Sequence, residues 1–246
     1  MTFLRRLSFA LLLLAAPGLR AQAPSHVAAS LVAADAAVKP GQPITVALRF
    51  VHDLHWHTYW VQPGTGLPTT LTWKLPPGWT AGEIQWPAPH ILRDRAKLVI
   101  GNGYEGDLLL PVTLTPPTDL APGTKVTLRA DADWLMCEDV CIPGKASVSI
   151  TLPVAGETPA PDPTWGEKIR ATVAGLPRAD AAWKVSASVG GKTVTLTVTP
   201  TATSATTGPA AEAPKDLHFF SEDNYIAYDQ PQVVKSDGRG GFVLAL

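Results

Sequence analysis

Alternation with a period of two is what most constrains this chain. Ile44–Val51 sets Ile44, Val46, Leu48 and Phe50 on one face and Thr45, Ala47 and Arg49 on the other. Thr70–Leu75 repeats the pattern with Leu71, Trp73 and Leu75, and Asp107–Leu114 with Leu108, Leu110, Val112 and Leu114. The longest run, Val126–Trp134, turns Val126, Leu128, Ala130, Ala132 and Trp134 inward and Thr127, Arg129, Asp131 and Asp133 outward. Ser147–Leu152 follows with Val148, Ile150 and Leu152. Such runs are half-buried strands, and turn residues between them specify an antiparallel sandwich with one wet face per sheet. The 24 Pro and 20 Gly among 246 residues exclude long helical bundles. A chain that is 46% hydrophobic with eight Trp buries a real core, which excludes disorder. The expected fold class is therefore all-β: an antiparallel β-sandwich followed by a second, smaller and apparently truncated β-rich domain.

The first segment reads as an address. Met1–Arg6 is basic, Leu7–Ala16 is apolar, and Pro17-Gly18 precedes the small residue Ala21. This is the three-part pattern of a signal peptide over residues 1–21, and the apolar run is half the length a membrane span needs. Its removal leaves 17 basic against 21 acidic residues, so no basic face is offered to nucleic acid. The sandwich is expected over 26–153, a Pro-rich linker over 154–164 and the second domain over 165–246. In that second part Thr164-Trp165-Gly166-Glu167 has capping-box spacing ahead of Ile169 and Val173, which points to one short helix. Trp183–Val189 and Thr193–Thr199 flank Gly190-Gly191 as a hairpin. Pro200–Pro214 reads as a mobile loop, and Leu217–Ser221, Gln232–Lys235 and Phe242–Leu246 read as strands.

The only two cysteines, Cys137 and Cys141, lie in Trp134-Leu135-Met136-Cys137-Glu138-Asp139-Val140-Cys141-Ile142-Pro143-Gly144, between two strand patterns. Residues four apart reach disulfide distance if the turn folds them together. Three uses are open: redox exchange, a structural staple and a metal site. A staple closing five residues contributes only about 2 kcal/mol, against about 4.7 kcal/mol for a hundred-residue loop, so the energetics favour exchange. Glu138 and Asp139 place negative charge beside both sulfurs, which disfavours the thiolate and marks these acids as modulating residues. A pair of this kind reacts on a docked partner rather than as a free nucleophile. A nearby carboxylate is a candidate acceptor for the thiol proton.

The segments His57-Thr58-Tyr59-Trp60, Pro63-Gly64-Thr65-Gly66-Leu67-Pro68-Thr69, Trp86-Pro87-Ala88-Pro89, Gly103-Tyr104-Glu105-Gly106 and Trp134-Leu135-x-Cys137…Cys141-Ile142-Pro143-Gly144 resemble the exported N-terminal region of the DsbD/ScsB thiol:disulfide interchange family. Phe219-Phe220 with Pro231-Gln232 resembles the second β-domain of the ScsB-like branch. The resemblance covers roughly residues 28–246. It implies an immunoglobulin-like redox domain in the periplasm, a protein-disulfide reductase component. Its partners would be a thioredoxin-like domain and a membrane electron-transfer domain of the same system, and its clients other periplasmic proteins. It also implies that Cys141 attacks and Cys137 resolves. The chain departs from the best-known members in its closer cysteines and in lacking the membrane and thioredoxin-like parts. Arg93-Asp94-Arg95-Ala96-Lys97-Leu98 stands where those members carry an acidic-aromatic shielding loop, which makes Asp94 and Leu98 the shield candidates.

No cofactor is expected. The alternative function is a Cu(I)-binding module for copper tolerance using Cys137, Cys141 and Met136 or a His, since soft sulfur ligands select Cu(I). His52, His55 and His57 cluster, and His55 with His57 would share a strand face compatible with a metal, although the aromatic neighbours Trp56, Tyr59 and Trp60 favour a packed loop. Gly101-Asn102-Gly103-Tyr104-Glu105-Gly106 matches a dinucleotide fingerprint literally, but a strand pattern follows it, so a glycine-rich β turn is expected. Trp73, Trp79 and Trp86 are expected as core or loop anchors.

Overall fold

The computed structural model describes residues 25–201, 217–223 and 225–246. The signal-peptide expectation and most of the 200–214 loop lie outside the described residues. In chain order the elements are β1 (Val27–Ala33), β2 (Ile44–His52), β3 (His57–Gly64), β4 (Thr70–Trp73), β5 (Thr80–Ala81), β6 (His90–Arg93), β7 (Val99–Glu105), β8 (Asp107–Thr115), β9 (Lys125–Cys137), β10 (Cys141–Pro153), α1 (Gly166–Ala174), β11 (Trp183–Gly190), β12 (Thr193–Pro200), β13 (Val233–Ser236) and β14 (Phe242–Ala245).

Two antiparallel sheets form the sandwich. One runs β1-β2-β8-β5; the other runs β10-β9-β3-β7-β6, with β4 added on β9. Every strand that alternates in the sequence presents its apolar set to the space between them. Leu48, Phe50, Leu110 and Leu114 from the first sheet meet Leu128, Ala130, Ala132 and Trp134 from the second. The Phe50 and Trp134 rings sit 4.8 Å apart. Trp79 is buried in this core, and Trp73 from the end of β4 and Trp86 from a loop pack against it.

The segment expected as a linker is tied down. Val38 bridges Val154, the Ala36 amide donates to the Ala160 carbonyl, and the Asp162 amide donates to the Ala34 carbonyl. α1 follows and buries Ile169 completely against Val32, Ala34, Ala47 and Leu109, on the outer face of the first sheet. The expected Thr164 capping box does not form. Asp162 does the work two residues earlier: its Oδ1 accepts from the Thr164 and Trp165 amides at 2.9 and 2.8 Å, leaving the Trp165 cap position with no side-chain bond.

The last four strands make a separate sheet, β11-β12-β14-β13, around Leu196, Phe242 and Leu244. Its hairpin turn is Gly191-Lys192 rather than Gly190-Gly191, because Gly190 pairs with Thr193 and Gly191 takes φ +63°. Leu217–Ser221 is not a strand. Its backbone is held by one side chain instead: the Gln232 amide accepts from the Phe219 N–H and donates to the Phe219 carbonyl. Phe220 then packs edge-on against Trp60 of the sandwich, ring centres 6.0 Å apart.

Candidate functional site

The two cysteines terminate the two longest strands of the molecule. β9 ends at Cys137, β10 starts at Cys141, and the two residues are cross-strand partners in the register that continues to Lys125 and Pro153. Antiparallel pairing places their Cα atoms 4.2 Å apart, and the sulfurs are joined as a disulfide. The tip Glu138–Val140 is closed by the Glu138 amide donating to the Val140 carbonyl. Gly144 faces Trp134 across the ladder, where a Cβ would run into the indole, so the glycine three residues after Cys141 lets the tryptophan lie flat beneath the hairpin.

The pair is unequal. Cys137 is 2% exposed and packs with Tyr59 and Leu92, whereas Cys141 is exposed. Val140 beside it is 62% exposed. A phenol hydroxyl stands within reach of Cys141 Sγ. The Tyr59 hydroxyl lies 3.9 Å from Cys141 Sγ, and His57 Nε2 lies 3.3 Å from the same hydroxyl. His57 sits in β3 opposite both Cys137 of β9 and Glu105 of β7. Burial drives the His57 imidazole down to about 4, with nearby His52 a smaller cause, and burial raises the Tyr59 phenol. At neutral pH both are uncharged.

Glu138 and Asp139 are engaged by a residue the sequence reading passed over. Arg95, in the β6–β7 loop, places Nη2 2.8 Å from Asp139 Oδ2 and 3.2 Å from Glu138 Oε1. The negative charge at the tip is therefore offset by one guanidinium. Of the two shield candidates, Asp94 closes this loop on itself, its Oδ1 accepting from the Leu98 amide at 2.8 Å, and Leu98 is 65% exposed. The available signal was charge complementarity: Arg93, Arg95 and Lys97 in one short run, two acids between the cysteines. Between loop and tip lies a cleft of about 490 Å³ whose walls include His55, His57, Arg95, Glu105 and Glu138.

Several expectations about metal and nucleotide sites receive a structural answer. His55 occupies the β2–β3 turn at φ +71° and does not share a strand face with His57. His52 points elsewhere: its Nδ1–H donates to the Gly106 carbonyl at 2.7 Å, leaving Nε2 to accept from the Thr58 hydroxyl at 2.9 Å. Met136 belongs to the sandwich core, on the opposite side of β9 from Cys137, and is not brought to the sulfurs. Among the described residues, no three of His, Cys, Asp and Glu converge into a group able to hold a metal ion. The glycine-rich stretch runs through β7 into β8 with no helix after it. Gly103 is required there because a Cβ would strike the Thr58 carbonyl on the neighbouring strand.

The hairpin tip thus joins a buried and an exposed cysteine on an antiparallel sandwich. The model of one family, described as thiol:disulfide interchange protein DsbD, N-terminal, matches residues 28–153, more than half of the chain. The chain belongs to the DsbD N-terminal family. This DsbD N-terminal domain is accordingly a thiol-disulfide interchange domain with an immunoglobulin-like fold, and residues 28–153 coincide with its sandwich. Among solved structures it is similar to the N-terminal periplasmic domain of ScsB from Proteus mirabilis, at TM-score 0.58 and 16% identity, over 90% of this chain and 79% of that one. At that identity the likeness speaks for the fold. No curated protein matches the chain. None of the described helices is long and apolar enough to cross a membrane.

Proposed function

We propose that the chain is an exported, periplasmic relay, addressed by residues 1–21, that takes electrons from a thioredoxin-like dithiol fed by a membrane domain and hands them to other periplasmic proteins. In this reading residues 26–153 carry the redox chemistry, 154–164 lead on to 165–246, and within that stretch α1 packs on the sandwich while β11–β14 form the second β-rich unit. The observation that carries the proposal is the unequal burial of the two bonded cysteines.

Loading begins when a partner thiolate attacks Cys141 Sγ, the sulfur a docked protein can reach. A partner–Cys141 disulfide forms, the Cys137–Cys141 bond breaks, and Cys137 leaves with the electron pair and takes up a proton. The partner's second thiolate then attacks the partner's own sulfur and releases Cys141 as a thiolate. Two electrons have moved onto this pair, with one proton taken up on Cys137 and a second taken from solvent only when the Cys141 thiolate is protonated, and the partner is left with a disulfide. Unloading runs the other way: Cys141 attacks a client disulfide, and Cys137 resolves the mixed species, restoring the internal bond. The Tyr59 hydroxyl is placed to donate to the Cys141 thiolate, and Arg95 offsets Glu138 and Asp139, whose charge opposes that anion. The loop that carries Arg95, with Asp94 and Leu98, is the proposed shield, standing beside the tip and leaving Cys141 open.

Trapping tests this. Cys137→Ala, mixed with a thioredoxin-like domain under mild oxidant, is expected to accumulate a disulfide-linked complex through Cys141. Capture by Cys141→Ala instead, or by neither variant, overturns the assignment.

A further inference from the structure

We infer that His57 is a positioning residue which aims the Tyr59 hydroxyl at the Cys141 sulfur and so sets how readily Cys141 carries a thiolate. The inference rests on the reading that Cys141 is the attacking sulfur.

The chain of contacts is short and mostly buried. His57 Nε2, the Tyr59 hydroxyl and Cys141 Sγ follow one another at 3.3 and 3.9 Å, and the two rings meet edge-on with centres 5.2 Å apart. His57 is 4% exposed and Tyr59 3%. A phenol has one hydrogen and several candidate acceptors. Here they are His57 Nε2, the Thr65 hydroxyl oxygen and Cys141 Sγ. Thr65 has its own hydrogen directed to the Ile100 carbonyl, so its oxygen competes for the phenol.

If Nε2 carries the imidazole hydrogen, it donates to the phenol oxygen and removes itself from the acceptors. The phenol hydrogen is then left to Thr65 or sulfur. Once Cys141 is ionised, the charged acceptor takes it, because hydrogen bonds to an anion are roughly twice as strong as neutral ones. The thiol proton passes to water and the electron pair stays on sulfur. Neutral His57 acts only through the direction of one hydrogen bond, and its low basicity keeps it neutral throughout the range in which a thiol ionises.

Other charges surround the imidazole. The acids Asp94, Glu105, Glu138 and Asp139 and the cations Arg93, Arg95 and Lys97 line its cleft together with His55, and His52 stands behind it. A test must hold all of them fixed, which a pair of uncharged substitutions does.

Gln and Asn provide that pair. The Gln amide nitrogen is as many bonds from Cα as His Nε2, whereas the Asn amide falls one bond short. In a Cys137→Ala background, the rate of Cys141 alkylation by iodoacetamide is followed against pH. His57→Gln is expected to keep the parent midpoint. His57→Asn is expected to raise it by about half a unit, alkylating about threefold more slowly near neutral pH. Tyr59→Phe raises the midpoint by itself and abolishes the difference between the Gln and Asn variants. Equal midpoints for Gln and Asn, or a difference that survives Tyr59→Phe, overturns the inference. The reagent needs no protein partner, so a failure of the relay to trap one leaves this measurement readable.

Discussion

Arg95 holds Asp139 at 2.8 Å from a different strand pair, so the loop after β6 and the tip after β9 are latched by charge. Both side chains are largely exposed, and a surface ion pair of this kind contributes at most about 1 kcal/mol. Its electrostatic effect on the neighbouring sulfur is nonetheless directional. Arg95→Ala uncovers two carboxylates, which raises the Cys141 thiol midpoint by less than about one unit. The shift is expected to shrink in 1 M salt, where charges about 3 Å beyond contact are already screened. Alkylation of reduced protein at low and high salt reads both quantities, and a downward shift or one indifferent to salt speaks against the latch.

Stability should fall on acidification in a window set by the buried histidines. His57 is held down to about 4 from an ordinary 6.5, and His52 is lowered as well, chiefly by burial. The unfolded chain binds these protons more readily than the native one. Their neutral burial therefore costs nothing above pH 6.5 and destabilises progressively as pH drops from 6.5 toward 4, by on the order of 3 kcal/mol for His57. Urea midpoints measured across that range should slope downward, and His57→Gln should flatten the slope. An unchanged slope in that variant would place the titration elsewhere.

Gly144→Ala forces a methyl into the Trp134 indole. Overpacking at such a contact costs about 1–3 kcal/mol. The expected outcome is a lower urea midpoint together with a changed near-ultraviolet circular dichroism band, since the displaced group is a tryptophan. A variant with parental stability and spectrum would mean that the hairpin relaxes freely.

Ile169→Ala removes the one side chain by which α1 is fully buried on the outer face of the first sheet. A cost of about 2–5 kcal/mol is expected for emptying such a site. Limited proteolysis should then cut within 155–164 faster than in the parent, while the sandwich core survives. Equal cutting rates would show that the backbone bonds from Ala36 and Asp162 suffice alone.

Strands with one wet face were legible because their chemistry repeats every second residue: Val126 to Trp134 declares its inner side, and the structure follows it. What the sequence hid was decided by contacts distant along the chain. Thr164 and Glu167 have the right spacing for a cap, but the segment is held to Ala34 and Asp35 just after β1, and there Asp162 takes the orphan amides. Leu217–Ser221 has strand composition, yet Gln232 satisfies the bonds a neighbouring strand would have made. At the site, the cysteines were evident from their spacing. Tyr59 and Arg95 were not, because they approach from 82 and roughly 45 residues away and only the sheet order brings them there.

One reachable sulfur means one possible adduct. In the proposed relay, every protein that bonds to this domain would do so at Cys141, with Cys137 stationed behind it, so there would be no isomeric mixed species to sort and no visitor left without a neighbour able to expel it. On that reading the regiochemistry is written into which of two facing strand ends the surrounding side chains cover.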